Sequence, residues 1–376
     1  SRQTTGDKDR TDNATTQSNS KTSGYSLGQF MGSLDVFARK NLLIPDDIVL
    51  WTGPAVREGI KAVREFQPDV ILATAPHFTN LLVGARLSRA TGVPWVADYR
   101  DLWTGDVLRA WVPKWRQRLE LLIEHRILAT ASAVITVSGP KSDVVRERVG
   151  RPDNCPVVTL TNGYDPEEFE DVVAEQSCDG LFRIVYAGRL FKNRRGYELI
   201  EAVGQLLQEN PALRQCLAIE YYGGVAPEIA AHMQSLIEHY ELAQVVRFHP
   251  DVSYLRSKAL QKGADALLLI VDSGETSSGV IPGKLFEYVA ARRPILCIAA
   301  PGATTDIMVA GRLGEVVSPG DVQNLKTALT SLLDKTNAGF NPDVAYLAQF
   351  ERGKVVERLA QLLDDVIANA HRSGAR

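Results

Sequence analysis

Positive charge is not in excess in this chain: 42 lysine and arginine residues stand against 45 aspartate and glutamate, for a formal net charge of −3. A general nucleic-acid binder needs a broad positive field to displace phosphate counterions, so that class is excluded and any anion site must be local. Cysteine is scarce, with Cys155, Cys178, Cys216 and Cys297 the four in the chain. They lie far apart without the paired spacing of a zinc site, and Cys216 and Cys297 sit inside apolar runs, so they are read as buried free thiols. Long apolar runs are missing too. The longest, near Ala266 to Val271, has the length of a buried strand and falls far short of the ~20 residues of a membrane span. Residues 1–24 contain one apolar side chain, Ala14, too little to offset the entropy of ordering a backbone, and are read as disordered. The chain opens on Ser1 rather than methionine, so it is read as not a complete translation product: either it lacks its native N-terminus or it is a reduced protein.

What is present reads as an α/β protein. Apolar residues make up 45% and charged residues 23% of the chain, ordinary values for a folded globular protein. A length of 376 residues exceeds what one core supports and predicts two domains. Strands are predicted at 69–74, 95–98, 133–137 and 157–160 in the first half, and at 183–188, 217–223, 245–248, 265–271, 294–299 and 314–317 in the second. Several are apolar throughout, as strands covered on both faces by helices must be. Helical periodicity fills the gaps, for example over Asn80 to Gly92, and over Ser138 to Gly150 with Ser138 as N-cap. The acidic, weakly apolar stretch from Asp165 to Gly180 is the expected domain linker. The drawing that follows is two Rossmann-like domains facing a cleft, with no internal repeat.

In an open parallel sheet, ligands bind beyond the carboxyl ends of the strands. Two loops of the second half qualify. After the strand ending at Gly188, Arg189, Lys192, Arg194 and Arg195 crowd a turn before a helix, a pattern suited to a diphosphate. After the strand ending at Val271, a polar stretch leads through Pro282 into a helix whose first amides, on Gly283, Lys284 and Leu285, are expected to face the cleft. Glu287 lies one turn in, where a carboxylate can accept both hydroxyls of a ribose.

In this order "YAGRL" (Tyr186 to Leu190) and "KLFEYVAARRPIL" (Lys284 to Leu296), preceded by "VITVS" (Val134 to Ser138) and "TNGYDPEEF" (Thr161 to Phe169), resemble the GT-B glycosyltransferases of family 4, in the subgroup that builds bacterial surface polysaccharides. The likeness runs from about Pro68 to the C-terminus. It implies the GT-B fold: a disordered segment 1–24, an acceptor domain 25–170, a sugar-nucleotide donor domain 171–342, and helices 343–376 crossing back to the first domain. A complete member opens with a strand, a glycine-containing loop and a helix. None is legible here, "GYSLGQFMG" (Gly24 to Gly32) following disorder rather than a strand, so the first domain is expected to be incomplete.

The resemblance also implies retaining, metal-independent transfer from a nucleoside diphosphate sugar to a glycan or lipid-linked acceptor, with no other cofactor. Arg189 and Arg194 occupy the positions of the diphosphate-binding pair, with Arg195 as the alternative to Arg194, and Glu287 that of the ribose-binding glutamate. A second family glutamate falls on Gly279, for which Glu275, Ser277 or Ser278 are candidate substitutes. Where the family places a histidine beside the reacting carbon stand Arg100 and Asp101: Asp101 is read as orienting an acceptor hydroxyl, and Arg100 as a structural partner of Asp98 or Asp106. His77 is a second-rank catalytic candidate. Trp111 and Trp115 with Lys114, Arg116 and Arg118 suit either peripheral contact with an anionic lipid surface or a helix packed on its own sheet. The expected location is cytoplasmic, with peripheral contact at the inner face of the membrane. The rival readings are a non-catalytic sugar-nucleotide-binding module and an epimerase on the same fold.

Overall fold

The computed structural model describes residues 41–106, 109, 111–150, 155–176, 178–274, 277–334 and 339–374; segments 1–24 and 24–32 and Glu275 lie outside them. Two parallel sheets organise the chain. The first has the order β1-β2-β3-β4, from Ile71–Ala75, Trp95–Tyr99, Ala133–Thr136 and Val157–Thr159. The second has the order β10-β9-β8-β5-β6-β7, from β5 Phe182–Ala187, β6 Leu217–Tyr222, β7 Val246–His249, β8 Ala266–Ile270, β9 Ile295–Ile298 and β10 Gly314–Val317. Each expected strand is found within two residues of its expected bounds, because every one is a short apolar run closed by turn residues.

Helices connect the strands. The longer ones among the described residues are α1 Thr52–Phe66, α2 Thr79–Thr91, α3 Lys114–Leu128, α4 Gly139–Val149, α5 Tyr197–Glu209, α6 Pro227–His239, α7 Tyr254–Gly263, α8 Gly283–Ala291, α9 Ala303–Ala310, α10 Val322–Asp334 and α11 Arg352–Gly374. Gly92 and Gly150 end α2 and α4 in the left-handed conformation, at φ 78° and 65°, where a side chain would be strained. The second sheet is buried on both faces. Leu199, Val203 and Leu329 lie under one face, and Leu285, Phe286 and Met308 under the other.

The chain passes between the sheets twice, and Tyr164 bridges Glu351 where the two passages meet. Glu168, on the outgoing passage, accepts hydrogen bonds from Lys258, Tyr254 and Arg352. These bonds hold its carboxyl down at about 2. Beyond Arg352, α11 lays Leu362 and Val366 against Val96, Ala133 and Ile135 of the first sheet.

Three expectations change. Cys155 and Cys297 are buried, but Cys178 and Cys216 are exposed, Cys216 because it caps a short 3-10 turn before β6 begins. Ser138 precedes α4 in extended conformation but makes no cap; its hydroxyl is used elsewhere. Arg116 is not a surface cation: it is 1% exposed, bonded to Glu120 at 2.6 Å and to the carbonyls of Leu43 and Pro45. Arg109 joins the same carboxylate at 2.8 Å. Lys114 and Arg118 remain at the surface beside exposed Trp111 and Trp115.

Glu120→Gln leaves two largely buried guanidinium groups without their shared carboxylate, so chemical denaturation is expected to register a loss of about 3–5 kcal/mol. Glu168 contributes stability that is complete above the ordinary glutamate range and lost as pH falls toward about 2. In Glu168→Gln that part of the acid-unfolding profile should flatten; an unchanged profile would remove the carboxylate from the hinge.

Candidate functional site

Strand order in the second sheet reverses between β5 and β8, since successive strands run outward from β5 through β6 and β7 and then return through β8, β9 and β10. The loops leaving β5 and β8 must diverge at such a point, which opens a crevice at the carboxyl ends. Gly188 leaves β5 and Asp272 follows β8, so the two sequence-nominated loops meet there. Their contact is close: a Cβ on Gly188 would stand 2.5 Å from Lys284 Cε and 3.3 Å from Lys284 Nζ. The Tyr186 hydroxyl donates to the Arg189 carbonyl at 3.0 Å and braces the turn.

The four cations of the first loop separate. Arg194 turns inward and bonds Asp272 at 2.8 Å, with side chains 18% and 8% exposed. Arg189 is 76% exposed and stands 3.7 Å from Asp251 at the rim. Lys192 and Arg195 line a different cavity with Tyr197 and His232, and Arg195 stacks over the Tyr197 ring. Arg194 is therefore the member of the Arg194/Arg195 alternative that faces Lys284.

Lys284 is half-buried on the first turn of α8. Burial pulls its ammonium below the usual lysine range; Glu287 opposes this and the Arg194 guanidinium adds to it. An ammonium held this way favours an arriving anion, which would restore its charged form. Glu287 receives a 3.0 Å hydrogen bond from the fully buried Gln261, itself bonded to Ser257. The Glu287 side chain also faces a cavity of about 260 Å³ lined by Asn162, Tyr254, Gly283 and Arg352 among others. Gly283 lies on that wall. The Leu285 amide does not: it bonds the Pro282 carbonyl at 3.0 Å, and its side chain is buried in the core, which corrects its expected place on the cleft.

On the first domain, Arg100 is held by Asp98 at 3.0 Å, which selects Asp98 over Asp106 as its partner. Asp101 is 42% exposed and bonded to Lys141 Nζ at 3.0 Å. His77 is 57% exposed and stands 4.0 Å from Asp47, outside the Gly188/Lys284 contact. Gly279 carries no side chain, and Ser277 bonds the Gly274 carbonyl. Sequence reasoning missed Asp272, Gln261 and Lys141; each is an ordinary polar residue whose partner comes from a distant segment.

Among the described residues no helix is long and apolar enough to cross a membrane. Residues 42–163 match the family model of the Glycosyl transferase 4-like domain, and residues 182–335 that of Glycosyl transferases group 1. The D-inositol 3-phosphate glycosyltransferase 1 of Catenulispora acidiphila is 24% identical over 278 residues, 71% of this chain and 64% of that protein. The D-inositol 3-phosphate glycosyltransferase of a Nocardioides species is 29% identical over 204 residues, 46% and 43% of the two lengths. The chain thus spans less than two thirds of either relative. Among solved structures, Anabaena HepE in complex with UDP and glucose superposes with a TM-score of 0.62 at 18% identity, covering 83% of this chain and 82% of that one. Sucrose-phosphate synthase from Thermosynechococcus elongatus gives 0.60 at 18% identity, covering 86% and 80%. With one domain model on each sheet and this shared architecture, the chain belongs to the GT-B glycosyltransferases.

Proposed function

We propose that the chain transfers a sugar, with retention, from a nucleoside diphosphate sugar to a glycan or lipid-linked acceptor in polysaccharide or glycoconjugate biosynthesis. The observation that carries this reading is the convergence of Gly188, Arg194, Lys284 and Glu287 at the switch point of the second sheet. Arg189, Arg194 and Lys284 meet the diphosphate, with the Gly188 backbone and Gly283 amide close against it. Glu287, steadied by Gln261, accepts the pentose hydroxyls. The relatives named above are glycosyltransferases, and HepE was captured with UDP and glucose, which supports a sugar nucleotide as donor.

Transfer breaks the bond from the anomeric carbon to the diphosphate oxygen and forms one to the acceptor oxygen on the same face. The acceptor proton passes to the departing phosphate. The side chains supply positioning and charge: cations stabilise the diphosphate as the sugar acquires oxocarbenium character. In this reading no metal is needed, Asp101 lies on the acceptor side with His77 of lower rank, and the protein works at the cytoplasmic face. Exposed Trp111 and Trp115 with Lys114 and Arg118 support peripheral contact with an anionic lipid surface.

Incubation with a panel of sugar nucleotides, with and without EDTA, tests the reading. Transfer or slow donor hydrolysis unaffected by chelation is expected; binding without turnover indicates a binding module, and an isomerised donor an epimerase. Because Arg189 is exposed, Arg189→Ala should keep the wild-type melting temperature while kcat/KM for the donor falls on the order of 100-fold; full activity sinks the phosphate assignment. The pH dependence has a definite sign. Bound diphosphate favours protonated Lys284, so donor affinity is full below the depressed lysine value and declines as pH rises through it, with proton uptake on binding. Calorimetry on Lys284→Met should find this alkaline decline gone.

A further inference from the structure

Away from the passages between the sheets, described residues of the two domains meet where α4 begins. The Ser138 hydroxyl, freed from capping α4, donates to the Gly279 carbonyl at 2.8 Å across 141 residues of sequence. One turn on, Lys141 lies with its side chain 8% exposed. Its stem occupies the space where position 279 carries no side chain, since a Cβ there would stand 3.0 Å from Lys141 Cγ. Its ammonium donates to the Arg100 carbonyl at 3.1 Å and to Asp101 Oδ1 at 3.0 Å.

Burying an ammonium is costly unless its donors are used. Two of the three N–H donors of Lys141 have partners among the described residues, and the third has none among them. Asp101 likewise spends one oxygen on Lys141 and keeps Oδ2 unbonded to any described residue. Among the described residues, one donor without a partner therefore stands beside one such acceptor. A sugar hydroxyl both donates and accepts, so neighbouring hydroxyls of a pyranose satisfy such a pair where a phosphate, which only accepts, would meet the carboxylate and be repelled. The pair borders the loop that runs into Pro282 and α8, with Lys284 on the first turn of that helix.

We propose that Lys141 is a positioning residue that turns Asp101 toward the transferred sugar in place of an acceptor hydroxyl, so that the first domain reads the sugar hydroxyls while the second grips the diphosphate. This rests on the donor-site reading above and deepens it. The alternative is a strut between domains with no contact to the sugar, and the two differ in what they do to sugar recognition.

The test compares affinities of the full chain for UDP and UDP-glucose, with the GDP and ADP pairs if uridine fails, by calorimetry. The wild type is expected to favour the sugar nucleotide over its nucleoside diphosphate on the order of tenfold. Lys141→Met should erase that preference while leaving nucleoside diphosphate affinity within about twofold. Asp101→Asn should do the same, and the double variant should lose no more than either single one, as expected of residues acting as a unit. Should Lys141→Met fail to fold in a thermal melt, Asp101→Asn, which keeps the lysine, decides alone. A preference that survives either substitution, additive losses in the double variant, or equal wild-type affinity for both ligands overturns the assignment. Absence of binding to any nucleoside diphosphate would instead remove the donor-site reading, and this proposal with it.

Discussion

Lys284 can lie across the backbone of Gly188 because that residue has no side chain; a Cβ there, at 2.5 Å from Lys284 Cε, would push the end of the lysine off the turn. The rest of the site depends on this approach. Arg194 and Lys284 face the same space, and burial, with the Arg194 guanidinium adding to it, lowers the lysine. Asp272 and Glu287 partly compensate, each on the element that carries or faces a cation. The result is a local concentration of positive charge in a protein whose net charge is slightly negative, which suits capture of a compact anion rather than a polymer.

That arrangement needs a rigid frame, which the parallel sheet supplies. β5 and β8 are hydrogen-bonded neighbours through Ile184–Ala266 and Val185–Leu267, so the spacing of their departing loops is held by backbone bonds rather than by side chains. The first domain is tied to this frame at the hinge through Glu168 and Arg352 and at the cleft through Ser138 and Gly279.

Charge burial also accounts for the first domain's interior. Arg116, Arg109 and Glu120 form one cluster and Glu124, Arg148 and Thr104 another, both anchoring α3. A sequence segment rich in tryptophan and basic residues is thereby divided, part of its charge serving the fold and part remaining at the surface.

The sequence by itself determined the strands, the helix-ending glycines and the two basic or helix-opening loops, because apolar periodicity and glycine conformation are properties of neighbouring residues. It also singled out Gly188, Arg189, Lys284 and Glu287, whose chemistry is written in short motifs. Tertiary structure alone decided that Arg194 rather than Arg195 turns inward, that the Leu285 amide is spent on Pro282, that Cys216 is exposed, and that Ser138 and Lys141 belong to the cleft. Each depends on a partner supplied by a different segment or on how a turn rotates a side chain, and periodicity carries no information about either.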